Sequence, residues 1–77
     1  MYVYLIHNDR DGSKIRKVGF GRSLESCGHV MTEMLKYYGI MPEYYRYWQE
    51  DDGDTWCDYG SWSDFVVFSE KEDLEND

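Results

Sequence analysis

Apolar residues fall along this chain in short blocks separated by turn chemistry. Tyr2 to His7 is a run of aromatic, β-branched and aliphatic residues and predicts a strand. Asn8-Asp-Arg-Asp-Gly-Ser13 is turn chemistry, with Gly12 available for positive φ. Ile15 to Phe20 resumes a strand through Ile15, Val18 and Phe20, so the first two strands form a hairpin. The period then changes. Leu24, Cys27, Val30, Met31, Met34, Leu35 and Tyr38 follow the spacing of one stripe on an amphipathic helix. Ser23 is a good N-cap, Glu25 suits the positive end of the dipole, Gly39 suits C′, and Pro42 bars continuation. The expected helix is 24–38, with Gly28 its weak point at about 1 kcal/mol relative to alanine.

Beyond the helix, Glu43 to Gln49 alternates as a strand. Tyr45 and Tyr47 share one face, and Tyr44, Arg46 and Trp48 share the other. Glu50-Asp-Asp-Gly-Asp54 is an acidic turn. Thr55 to Tyr59 begins the return and Ser63 to Ser69 carries it, with Gly60-Ser61-Trp62 as a bulge or bend between them. The expected order is ββαββ, an α+β domain with one amphipathic helix packed on a small antiparallel sheet. Residues 1–69 form that domain, and 70–77 are a charged tail expected to fray.

Composition narrows the class. With 77 residues the chain is one domain with a thin core, which excludes a catalytic cleft between two domains. A hydrophobic content of 42% with 18% aromatics excludes disorder. Two cysteines, Cys27 and Cys57, make no disulfide framework and read as reduced thiols in a cytosolic protein. No apolar run approaches the roughly 20 residues of a membrane span, and the opening strand leads at once into charged residues rather than a signal peptide. A cytoplasmic protein with no membrane contact is therefore expected.

Charge divides the chain in two. Net charge is −8, which removes the usual basic footprint of a nucleic-acid binder. Residues 1–38 carry six basic and four acidic side chains, whereas residues 39–77 carry two basic and twelve acidic ones. The acidic half also holds nine of the fourteen aromatics. Carboxylates interleaved with Tyr and Trp suit a face that docks on a basic protein groove: the charges speed encounter and the aromatics anchor it. A solvated acidic rim around an ordinary aromatic core is the plainer account, but it leaves the one-sidedness unexplained. The expected binding face is roughly residues 43–64. Glu50, Asp51, Asp52, Asp54 and Asp58 would meet partner Lys and Arg; Trp48, Trp56, Tyr59 and Trp62 would anchor. Direct nucleic-acid contact is not expected, although Arg10, Lys14, Arg16, Lys17 and Arg22 make the first hairpin basic.

No constellation points to catalysis or to a cofactor. His7, Cys27, His29 and Cys57 lack metal-ligand spacing, and Cys27 and His29 point to different faces of the helix. The acidic loop has Tyr59 where an EF-hand needs its twelfth ligand. Gly19-x-Gly21 follows a strand and precedes a helix, as phosphate loops do, but lacks their third glycine and βαβ setting.

Two resemblances follow from these residues. Tyr2-Val-Tyr-Leu5 with Lys17-Val-Gly-Phe-Gly-Arg-Ser23 looks like the paired strands of GIY-YIG nucleases. Glu25-Ser-Cys-Gly-His29 stands where that family carries its catalytic arginine, so the activity does not carry over. In composition and layout, though not in any motif, the whole chain resembles small acidic inhibitors of phages and mobile elements, including anti-CRISPR and anti-restriction proteins. That likeness implies a non-enzymatic DNA mimic whose partner is a basic nucleic-acid-binding protein such as a host nuclease. The alternative is a small accessory or assembly module that self-associates or docks through its aromatic sheet face. Oligomeric state stays open.

Overall fold

The apolar runs at the N-terminus pair as their turn residues dictate. In the computed structural model, which describes residues 1–74, β1 (Tyr2–Asp9) and β2 (Gly12–Phe20) run antiparallel from Asp9↔Gly12 to Tyr2↔Phe20. The strands reach further into the turn than expected, leaving Arg10 and Asp11 as the loop; Asp9 Oδ1 accepts the Asp11 N–H at 2.8 Å and tightens it. Register shifts between Val3 and Tyr4, and the bulge turns Val18 against the main core.

Helix α1 (Leu24–Tyr37) begins at Ser23, whose side chain accepts the Ser26 N–H at 3.1 Å. Gly39 at φ 71° ends it, with its N–H on the Lys36 carbonyl and the Ile40 N–H on that of Leu35. The buried stripe is Cys27, Met31, Met34 and Leu35, while Leu24 and Tyr38, at the two ends of the expected stripe, are exposed. Gly19 and Gly21 let the helix seat. A Cβ on Gly21 would lie 2.6 Å from the Cys27 backbone nitrogen, and one on Gly19 would collide with Val30. The Gly-x-Gly element is thus a packing device.

The second half forms a meander. β3 (Arg46–Gln49), β4 (Thr55–Asp58) and β5 (Asp64–Ser69) are successively antiparallel, and β5 also pairs with β1. The five-stranded order is β2-β1-β5-β4-β3, so the molecule is the expected α+β domain with one strand more than ββαββ. The extra strand arises because Gly60-Ser61-Trp62 reverses the chain rather than bulging it. Asp58 Oδ1 accepts the Gly60 N–H at 2.9 Å, and Ser61 Oγ accepts those of Ser63 and Asp64 at 3.3 and 3.1 Å.

Both faces of the sheet are apolar. On the helix side Val3, Cys57, Tyr59, Val66 and Phe68 close over the buried stripe; each such side chain contributes roughly 1.5–3 kcal/mol. The opposite face buries Tyr4, Ile6 and Val67, flanked by half-buried Tyr2, Ile15, Trp56 and Leu74. Residues 70–74 are held across that second face. The Tyr4 hydroxyl donates to the carbonyls of Lys71 and Glu72 at 2.5 and 2.7 Å, and Leu74 packs on the sheet. Residues 75–77, the remainder of the segment expected to fray, lie outside the described residues.

Candidate functional site

The turn between β3 and β4 gathers four carboxylates because its backbone closes on itself. The Glu50 N–H donates to Asp54 O at 2.9 Å, the Gly53 N–H to Glu50 O at 3.0 Å, and the Asp54 N–H to Asp52 Oδ1 at 3.0 Å. Trp48 braces the turn from its strand, its indole N–H on Glu50 Oε1 at 2.9 Å. Lys71 reaches in from the C-terminal segment and donates from Nζ to Asp52 Oδ2 at 2.7 Å and Asp54 Oδ2 at 3.2 Å. The Lys71 hydrogen bond, helped by the Asp54 N–H, holds Asp52 below the usual carboxylate range. The same carboxylates raise Lys71 above an ordinary lysine.

This arrangement borders a groove of about 690 Å³ on the face of the sheet away from the helix. Ile6, Ile15, Trp56 and Leu74 give it an apolar floor; Glu50, Asp51, Asp52, Asp54 and Asp73 give it an acidic rim, and among the described residues Lys71 is the one cation lining it. Behind the floor, Trp56 stacks on Trp48 with centroids 6.1 Å apart, and both lean on Phe65. Cations already rest on aromatics of this face: Lys17 Nζ lies 4.4 Å from the Tyr2 ring centre and Arg46 Cζ 5.7 Å from that of Trp48.

The expected face of residues 43–64 divides at β4. Glu50, Asp51, Asp52 and Asp54 line the groove from the turn before the strand, Trp56 lines it from the strand itself, and Trp48 supports it. Asp54 is buried and engaged with Lys71, so Glu50, Asp51 and Asp52 are the turn carboxylates that face solvent. At the end of the strand the expectation fails for two residues. Asp58 is buried and committed internally, to Arg46 Nη2 at 3.2 Å, to the Tyr44 hydroxyl at 3.4 Å and to the Gly60 N–H. Tyr59 is a core residue at 3% exposure; burial, then the nearby Asp64 charge, pushes its hydroxyl up to about 12. Trp62 is fully exposed at the tip of the β4–β5 loop, on the far side of the strand from the acidic turn.

Lys71, Asp73, Leu74, Ile6 and Ile15 were not among the site residues expected from sequence. The signal for the apolar floor lies in β1, where Tyr2, Tyr4 and Ile6 alternate with Val3 and Leu5. Apolar residues on both parities mean that the sheet is covered on both faces.

Other polar clusters are structural. His7 Nδ1 meets Asp64 Oδ1 at 2.5 Å, and the Ser63 hydroxyl donates to that same oxygen at 3.0 Å rather than to the imidazole. A serine, a histidine and an aspartate thus converge without the nucleophile–base bond that acyl transfer needs. Among the described residues, no group of three or more His, Cys, Asp or Glu side chains is placed to hold a metal ion. Cys27 and Cys57 are free thiols buried in the core. Among the described residues, no helix is long and apolar enough to cross a membrane. Comparison of the chain with protein-family models, with curated proteins and with solved structures finds no significant match.

Proposed function

We propose that this protein is a non-enzymatic acidic binding module that occupies a basic, nucleic-acid-binding surface of a partner protein and blocks it. The observation that carries this reading is the convergence of two acidic segments distant in sequence. Lys71 brings Asp73 to the groove beside the turn of Glu50, Asp51 and Asp52, with exposed Glu72 next to it in the chain, giving five solvent-facing carboxylates, while Glu70 pairs with the Met1 amine at 3.8 Å. Oxygens spaced in this way stand in for phosphates toward Lys and Arg on the partner. Exposed charges act over about 8–10 Å at physiological salt, so the contact weakens as salt rises.

The test is capture from a cell lysate on the immobilised chain, followed by elution with duplex DNA. The expected result is a nucleic-acid-binding protein that DNA displaces and that a chain carrying Asp51→Asn, Asp52→Asn and Asp73→Asn fails to retain. Capture that is indifferent to salt and to DNA overturns the reading. The self-association alternative is checked by sedimentation: a stable oligomer that buries Tyr45, Tyr47 and the β3 edge would replace inhibition with assembly.

A further inference from the structure

The acidic rim explains attraction to a basic partner, but it does not explain the apolar floor beneath it. We infer that the groove is a receptor for arginine side chains of that partner, each lying with its methylene stem on the floor and its guanidinium against the rim. This rests on the docking reading above and specifies the chemistry of its contact.

Three features of the groove support it. First, shape and polarity match one kind of side chain. Ile6, Ile15 and Leu74 offer aliphatic contact, while Asp51 and Asp73 stand at the edge with no ion pair of their own among the described residues. A long stem with a charged head satisfies both, as snorkelling side chains do. Second, the groove already holds a cation of this chain. Lys71 lays its ammonium between Asp52 and Asp54 at one wall, which shows how the rim receives a donor and leaves the remaining carboxylates for another. Third, aromatic rings on this face take cations. Arg46 sits over Trp48, the stacking partner of Trp56, and Trp56 lines the groove. A planar, weakly hydrated guanidinium exploits carboxylate and indole together better than an ammonium does, so arginine is favoured over lysine.

The experiment titrates the isotopically labelled full chain with a peptide alternating glycine and arginine. A second titration uses the same peptide with 2-amino-3-guanidinopropionate for arginine, which keeps the charged guanidinium and removes most of the stem. The arginine peptide is expected to bind at least roughly tenfold tighter, the gain from seating one apolar stem, and to shift the signals of Ile6, Ile15 and the Trp56 indole. Ile15→Lys, on the edge strand β2, places a cation on the floor and is expected to abolish those shifts. Leu74→Lys does the same from the C-terminal segment should the first variant fail to fold. Equal affinity for the two peptides, or shifts confined to Asp51, Asp73 and their neighbours, overturns the arginine pocket. A chain that fails here yet still captures a DNA-displaceable partner loses the pocket and keeps the docking function. One that passes here yet captures no such partner keeps the pocket and loses that function.

Discussion

Lys71 Nζ lies 2.7 Å from Asp52 Oδ2, a bond that ties the segment after β5 to the turn before β4. The two residues perturb each other in opposite directions, Asp52 downward and Lys71 upward, each mainly through this hydrogen bond. The sign fixes the pH window. A lowered carboxylate stabilises the fold above its unfolded value near 3.8, and that contribution disappears as pH falls through the lower folded value. A raised lysine stabilises below its unfolded value near 10.5, and that contribution disappears as pH rises through the higher folded one. The clip is therefore expected to hold between these limits and to open beyond either. Carboxyl and ammonium chemical shifts of Asp52 and Lys71, followed over pH, check this. In Lys71→Gln, Asp52 should titrate nearer the ordinary aspartate value.

A second pH effect comes from the core. Burial pushes Tyr59 up to about 12 and Cys57 up to about 11, and it raises Tyr4 and Cys27 as well. All these groups are neutral in the folded chain and ionise more readily once it unfolds. Stability is therefore complete below about pH 9, where cysteine begins to ionise in the unfolded chain, and falls as pH climbs toward 12. Denaturation midpoints should stay level from about pH 8 to about pH 9 and then drop steadily toward roughly pH 11.5. The same burial keeps both thiols unreactive. A thiol-specific reagent at neutral pH should label neither Cys27 nor Cys57 until denaturant is added.

Two glycines, Gly21 before α1 and Gly28 inside it, should respond oppositely to alanine. A Cβ on Gly21 would press on the Cys27 backbone and on its sulfur 2.9 Å away, and a backbone nitrogen has nowhere to go. Gly21→Ala is expected to destabilise by about 1–3 kcal/mol. Gly28 sits inside α1 with no atom within 4 Å of the Cβ it lacks. Gly28→Ala should therefore stabilise by roughly 0.5–1 kcal/mol, through helix propensity and reduced unfolded-state entropy. Urea melts of the two variants against the parent chain decide both.

What sequence could show divides along physical lines. The helix was legible within a residue because its stripe, its Ser23 cap and its Gly39 stop are local signals. The first hairpin was legible for the same reason. The third strand of the meander was not, since only a hydrogen-bonding pattern distinguishes a reversal at Gly60-Ser61-Trp62 from a bulge. The acidic turn was visible as charge, but Asp58 and Tyr59 were misjudged. Cys57, Asp58 and Tyr59 are consecutive and all buried, on a sheet covered on both faces, and composition does not show that. Lys71 escaped notice because its role depends on a contact with residues nineteen positions earlier. Such a contact leaves no periodic trace.

Trp62 separates binding from folding more cleanly than any other aromatic of the expected face. Trp48 and Trp56 stack on each other and on Phe65, and Tyr59 is interior, so removing any of these perturbs the fold together with the surface. Trp62 is fully exposed and its loop is fixed by Ser61 and Asp58, whose hydrogen bonds do not involve the indole. Trp62→Ala should leave the unfolding midpoint unchanged within about 0.5 kcal/mol. A large exposed indole is also the residue type that most often dominates an interface, where truncation costs about 2 kcal/mol or more. If the docking face runs from the acidic turn past β4 to this loop, the variant should lose affinity for the captured partner by roughly thirtyfold. Unchanged affinity would confine the docking face to the groove end of the sheet. Titration calorimetry of the parent and variant chains against that partner, at matched salt, gives the answer.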